Sequence, residues 1–222
     1  MDRAIALAVA IALVYLAFAA WWHRRRRGSA VPYDRPVSLP EAVPVLAIDG
    51  VLLPGAVWPY ELHRPESQTL VLDAHERSRV IGFATEVPAC GLIVCAARVI
   101  EARPDGDKLG AVVQGVARIR LLAERPSGEW SIALIADTEE AKGHARLAAE
   151  RIRQLALRVI DRQQVPPWTD EVLRKADPSE LLDVAASCCD LPRETRAAVL
   201  TTEDLSARSS VVLRALEARA RR

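Results

Sequence analysis

Half of the 222 residues are hydrophobic, enough for one domain of about 180 residues with a terminal appendage. The 30 lysines and arginines nearly balance 29 aspartates and glutamates, so no global charge steers the chain toward nucleic acid or a membrane surface. Four cysteines, Cys90, Cys95, Cys188 and Cys189, in so long a chain exclude a small disulfide-stapled scaffold, and a reducing compartment is expected.

From Ala4 to Trp22 the chain carries no charge, and at about 1.5 Å per helical residue this run approaches the hydrocarbon thickness of a bilayer. Residues 1–27 are therefore expected to form one transmembrane anchor. Trp21 and Trp22 stand where interfacial aromatics belong, and Arg24, Arg25, Arg26 and Arg27 follow at once. The positive-inside rule keeps those arginines cytoplasmic, which predicts a single-pass protein of a bacterial-type inner or plasma membrane with its soluble domain in the cytoplasm. The competing reading is a signal peptide cleaved after Ala17-Phe18-Ala19; the heavy positive charge behind the apolar run opposes it. Residues 28–38, polar and broken by proline, read as a short tether.

The stretch from Val43 to Leu62 opens the soluble part. An apolar strand-like run, Val43 to Ile48, meets a turn at Asp49-Gly50. A second short apolar run stops at Pro54-Gly55, and an aromatic segment, Trp58-Pro59-Tyr60, comes next. A short helix is predicted over Ser67 to Arg77, then strands over Val80 to Ala84 and Leu92 to Arg103. Pro104-Asp105-Gly106-Asp107 has the composition of a hairpin turn. On its far side Val116, Ile119 and Leu121 punctuate Arg118 and Arg120, a period of two that predicts a strand with one wet face. Gly110 and Gly115 in that arm mark bulges or bends rather than a phosphate loop. After a turn at Arg125-Pro126-Ser127-Gly128, Trp130, Ile132 and Leu134 alternate into a last strand, completing a small mixed sheet or barrel.

Beyond Glu140 the period changes. Ala148, Ile152, Leu155 and Val159 predict a long amphipathic helix over Lys142 to Gln163, ended by Pro166-Pro167. Asp177-Pro178-Ser179-Glu180 is a helix start: an acceptor at the cap, proline at the first helical position and glutamate at the third. Leu181, Leu182, Ala185 and Ala186 supply that helix's buried side. Pro192 opens a short helix through Leu200, and Leu205, Val212, Leu213 and Leu216 give the last helix its apolar stripe.

No catalytic, cofactor or metal constellation is read. His23, His63, His75 and His144 are scattered, without ligand spacing to each other or to Cys90 and Cys95. Adjacent Cys188 and Cys189 lie in an apolar helical stretch and read as buried packing residues. From Gly28 to Glu140 acids exceed bases by six, the wrong sign for phosphate contact, so no nucleic acid is expected as partner.

The order of these features resembles the amino-terminal substrate-recognition domain of Lon proteases. The family's opening motif is matched by Pro44-Val45-Leu46, Val51-Leu52-Leu53-Pro54-Gly55 and Pro59-Tyr60; its later pattern by Ala97-Arg98-Val99, Pro104-Asp105-Gly106 and Gly115 to Leu121; its helical tail by Pro178 to Asp183 and Leu191-Pro192. Leu53 stands where phenylalanine is usual, and Val94 where the family tends to have glycine. The resemblance covers Leu39 to the carboxyl terminus and implies an α+β fold: a PUA-like pseudo-β-barrel over 39–140 and a helical bundle over 141–222, preceded here by the transmembrane helix. Pro44, Pro54, Gly55, Pro59, Gly106 and Gly115 are its structural motif residues.

Neither the family's ATPase module nor its serine–lysine protease module is read in these residues, and Lys108, Lys142 and Lys175 lie in no protease-like context. The expectation is a non-enzymatic module that needs no cofactor and binds a polypeptide or partner protein, with Leu53, Trp58, Tyr60 and Trp168 as candidate contacts. The alternatives are an RNA-binding PUA-like domain and a hydrolase of unrecognised type.

Overall fold

Pro44 splits the first apolar run in two, and the sheet is arranged around that break. The computed structural model describes residues 37–77, 79–137, 139–161 and 168–221. The expected anchor, with Trp21, Trp22 and Arg24 to Arg27, lies outside the described residues, as does Pro166-Pro167. Among the described residues no helix is long and apolar enough to cross a membrane.

The strands are β1 (Ala42–Val43), β2 (Val45–Ala47), β3 (Val57–Leu62), β4 (Val80–Ala84), β5 (Ile93–Asp105), β6 (Lys108–Glu124) and β7 (Trp130–Ile135), with helix α1 (Pro65–Glu76) between β3 and β4. They join in the order β1-β7-β6-β5-β4-β2, with β3 also paired to β6. The end strands of this path, β1 and β2, are neighbours in the chain. β1 pairs antiparallel with β7, and β2 pairs parallel with β4. Lacking an N–H, Pro44 cannot continue a ladder as donor, but its carbonyl accepts from the Gly82 amide at 2.8 Å. Six residues thus serve opposite edges of the sheet, which curls into a half-barrel.

The β5–β6 hairpin closes with Asp105 opposite Lys108. Gly106 takes φ 64° in the two-residue turn, a backbone that glycine adopts without a Cβ penalty. Gly115 does sit at a bulge: the register steps from Ala96↔Ala117 to Ala97↔Gly115, leaving Val116 as the extra residue. Gly110 pairs regularly with Arg103, without a bulge. The aromatic segment does not stop at Pro59. β3 runs on to Leu62, with Pro59 exposed opposite Val112, as an edge strand permits.

Two apolar cores result. Val43, Val80, Ala84, Val94, Ala96, Ile119 and Leu121 pack together as one cluster of the sheet. On the other face Leu53, Phe83, Cys95, Ala97 and Val113 join a second cluster with the helices. Both faces of β4 and of the first five residues of β5 are therefore covered, which is why these stretches read as apolar runs rather than alternations. The expected wet face of β6 is a correction: Arg118 is 6% exposed, because helices lie across the face that it shares with Cys95, its partner in register.

Those helices are α2 (Glu139–Ile160), α3 (Trp168–Lys175), α4 (Pro178–Cys188), α5 (Arg193–Thr201) and α6 (Leu205–Ala220). The α4 start matches its sequence signal: Asp177 accepts from the amides of Ser179 and Glu180, with Pro178 in the first turn, stabilising the helix by about 1 kcal/mol. Asp204 caps α6 through the Ala207 amide. Arg153 of α2 donates to the carbonyls of Leu173 and Ala176, holding the end of α3. The described residues from Val37 onward belong to one compact unit, and the larger core runs from Leu46 to Leu216.

Candidate functional site

The turn that ends the opening motif is built from its own residues. Ala56 donates to the Leu53 carbonyl at 3.1 Å, Pro54 occupies the second position, and Gly55 the third at φ 78°, the requirements of a type II turn. This turn docks on the β6 bulge: Gly55 donates to Gly115, and Gly115 donates to Ala56, both at 2.9 Å. A Cβ on Gly115 would overlap the Leu53 carbonyl oxygen and stand 2.9 Å from the Cys95 sulfur. The close approach requires glycine.

Beside this junction, a cleft of about 690 Å³ opens between the sheet and the helices, within the size range of ligand pockets. Its lining includes Leu134 and Ile135 at the end of β7, Val37 and Leu39, Val172 of α3 and residues of the first turn of α4. Leu134 is 58% exposed.

Paired charges form the floor. The Arg118 guanidinium grips both carboxylate oxygens of Asp183, with Nη1 at 2.7 Å from Oδ2 and Nη2 on Oδ1. Its Nε and Nη2 also donate, each at 3.2 Å, to the carbonyls of Leu200 and Val199 in the last turn of α5. Burial raises the Asp183 carboxyl above the usual carboxylate range, and the Arg118 guanidinium opposes that shift. Nearby, Asp137 accepts from Ser179 Oγ and from the buried Arg208, whose pKa burial lowers. On the sheet side Arg98 donates twice to Gln114 Oε1, at 3.1 and 2.6 Å.

Of the sequence candidates, Leu53 is 0% exposed. It is a core residue whose carbonyl shapes the turn, not a contact surface in this conformation. Trp58 and Tyr60 share one side of β3 and are half-buried. The Arg196 guanidinium of α5 lies 5.2 Å from the Trp58 ring centroid, a cation–π arrangement. Tyr60 stacks on Phe83 with centroids 5.7 Å apart, and burial pushes its phenol pKa up. Trp168 opens α3, but its side chain lies outside the described residues. Sequence reading missed the cleft and its floor; the available signal was Asp183 alone among the apolar residues Leu181, Leu182, Val184, Ala185 and Ala186.

Residues 42–218 match the family model described as the ATP-dependent protease La (LON) substrate-binding domain. Lon protease 2 of Myxococcus xanthus is 29% identical over 195 residues, covering 80% of this chain and 24% of that protein. Lon protease of Anaeromyxobacter dehalogenans is also 29% identical over 195 residues, covering 80% and 23%. The chain thus spans about a quarter of the length of these curated relatives. The solved amino-terminal domain of the Mycobacterium avium complex Lon protease shares the fold, with a TM-score of 0.60 at 21% identity over 79% of this chain and 98% of that one. With the match running from β1 into α6, the chain belongs to the Lon substrate-binding domain family.

Proposed function

We infer that this protein is a non-catalytic module that binds exposed segments of polypeptide or docks a partner protein, held at the cytoplasmic face of a membrane by residues 1–27. The observation that carries the reading is the match of residues 42–218 to a substrate-binding domain. Burial pushes Cys188 and Cys189 up to about 12 and also raises Cys95, so these three thiols form little thiolate at neutral pH. The tether rests on the uncharged run from Ala4 to Trp22 and the four arginines behind it. Trp58 and Tyr60 are retained as secondary contact candidates, because each is only half-buried.

The test uses the full chain in lipid nanodiscs and one fluorescent protein offered both native and permanently unfolded by reduction and alkylation. Saturable binding of the unfolded form alone is the expected result. Binding of neither form, together with no protein partner crosslinked to the chain in its membrane, overturns the reading. A salt-sensitive mobility shift with RNA would favour the nucleic-acid alternative instead.

A further inference from the structure

We propose that the outer edge of β7 at Leu134 binds unfolded polypeptide by strand addition: an extended stretch of guest main chain continues, beside β7, the ladder that β1 begins. The proposal rests on the polypeptide-binding reading above and names the place and the groups that recognise the guest.

Strand register fixes which way the Leu134 backbone points. β1 pairs with the start of β7, Val43 with Trp130 and Ala42 with Ser131, and the Ile132 amide then donates to the Glu41 carbonyl at 3.0 Å. Ile132 therefore turns its N–H away from β6, and so, two residues on, does Leu134. β6 agrees from its own side. Leu121, the partner of Ile132, donates to the Leu92 carbonyl and accepts from the Gly91 amide, so its backbone bonds lie away from β7. Among the described residues no hydrogen bond is made to the Leu134 N–H or carbonyl on the outer side.

The described residues ahead of β1 do not complete the ladder. Carried two residues past Glu41, the β1 register would set Leu39 opposite Leu134. Instead Val37 and Leu39 pack against the cluster of Val43, Ile119 and Leu121, and residues 37–40 form no strand. Leu39 and Leu134 both line the cleft, so the ladder stops at an opening. The usual guards of an edge strand are a charge, a proline or shortness: β3 carries exposed Pro59, and β2 has three residues. From Trp130 to Ala136 there is neither charge nor proline, and Leu134 is 58% exposed.

An unpaired N–H and C=O on an edge have another extended main chain as their complement, which an unfolded polypeptide supplies whatever its side chains. Because the opening lies in a cleft whose lining also includes Val172 and Ser179 of the helices, a single extended chain fits it better than the sheet of a second copy. The Leu134 side chain adds apolar contact to the main-chain bonds.

The experiment follows hydrogen exchange at the Leu134 amide in the full chain in zwitterionic nanodiscs, with and without saturating reduced and alkylated polypeptide. The amide should exchange rapidly in the chain alone and at least about tenfold more slowly with the polypeptide bound. Leu134→Pro deletes this N–H at an edge position that tolerates proline and should weaken binding about tenfold, the worth of one hydrogen bond left unmade. Leu134→Val keeps the N–H and should change binding by about twofold or less. Should L134P unfold, exchange in the unsubstituted chain still decides. Polypeptide binding without slowed exchange, or equal binding by folded L134P and L134V, overturns the proposal while the polypeptide reading stands. Slow exchange in the chain alone, from its own residues or a second copy, overturns it in the same way. If no polypeptide binds, both fall.

Discussion

Arg118 on β6 and Asp183 on α4 face each other through two parallel hydrogen bonds in an interior that leaves them 6% and 2% exposed. Because the same guanidinium also donates to the carbonyls of Val199 and Leu200, one side chain of the sheet holds two helices. The cleft has this clamp as its floor, so its shape depends on a buried polar contact as well as on apolar packing. Removing one partner strands the other charge: Asp183→Leu should destabilise the fold by about 3–5 kcal/mol. The double variant R118M/D183L should recover most of that loss, since apolar residues of similar volume often replace a buried pair without cost. Urea unfolding followed by tryptophan fluorescence measures both, and equal losses in the single and double variants would contradict the assignment.

The glycines divide by what surrounds them. Gly115→Ala places a Cβ against Leu53 backbone and Cys95 sulfur and should destabilise by about 1–3 kcal/mol or more, because backbone gives way poorly. Gly143 lies within α2 with nothing within 4 Å of an added Cβ. Gly143→Ala should stabilise by up to about 1 kcal/mol. Opposite signs in unfolding midpoints are the expected outcome.

Alkaline pH should loosen the fold through the adjacent thiols of α4. Burial lifts Cys188 and Cys189 from 9.0 to about 12. With the folded value above the unfolded one, their contribution is whole below pH 9.0 and is lost as pH rises toward 12. The unfolding midpoint should fall through that window, and the fall should flatten in C188A/C189A. At neutral pH, brief alkylation should label exposed Cys90 and spare Cys95, Cys188 and Cys189; mass spectrometry reads the sites.

Trp58 and Arg196 offer a spectroscopic handle on β3 and α5. Arg196→Met keeps the length of the side chain and removes its charge from the ring 5.2 Å away. The change should cost about 0.5–2 kcal/mol and alter the Trp58 emission, and an unchanged spectrum would contradict the stacking.

What the sequence made legible was local. The type II turn at Pro54-Gly55, the glycine at the Asp105–Lys108 hairpin and the Asp177 cap each follow from a few adjacent residues. The fold class followed from the order of such signals together with the family resemblance. The site did not, because it is assembled across distance: Arg118 meets Asp183 65 residues away. Strand alternation set Arg118 apart from Ile119 and Leu121 correctly, but could not tell solvent from a helix on that face. Helix α3 was also missed. Eight residues leave little periodicity, although its Asp170–Arg174 and Glu171–Lys175 pairs at i,i+4 were present to be read.

The most direct measurement offers the full chain in nanodiscs a photo-crosslinkable polypeptide, once native and once permanently unfolded. Adducts with the unfolded form alone, competed by excess unlabelled unfolded polypeptide, are the predicted result. No adduct with either form, together with no protein partner crosslinked to the chain in its membrane, would contradict the reading of this domain as a polypeptide- or partner-binding module.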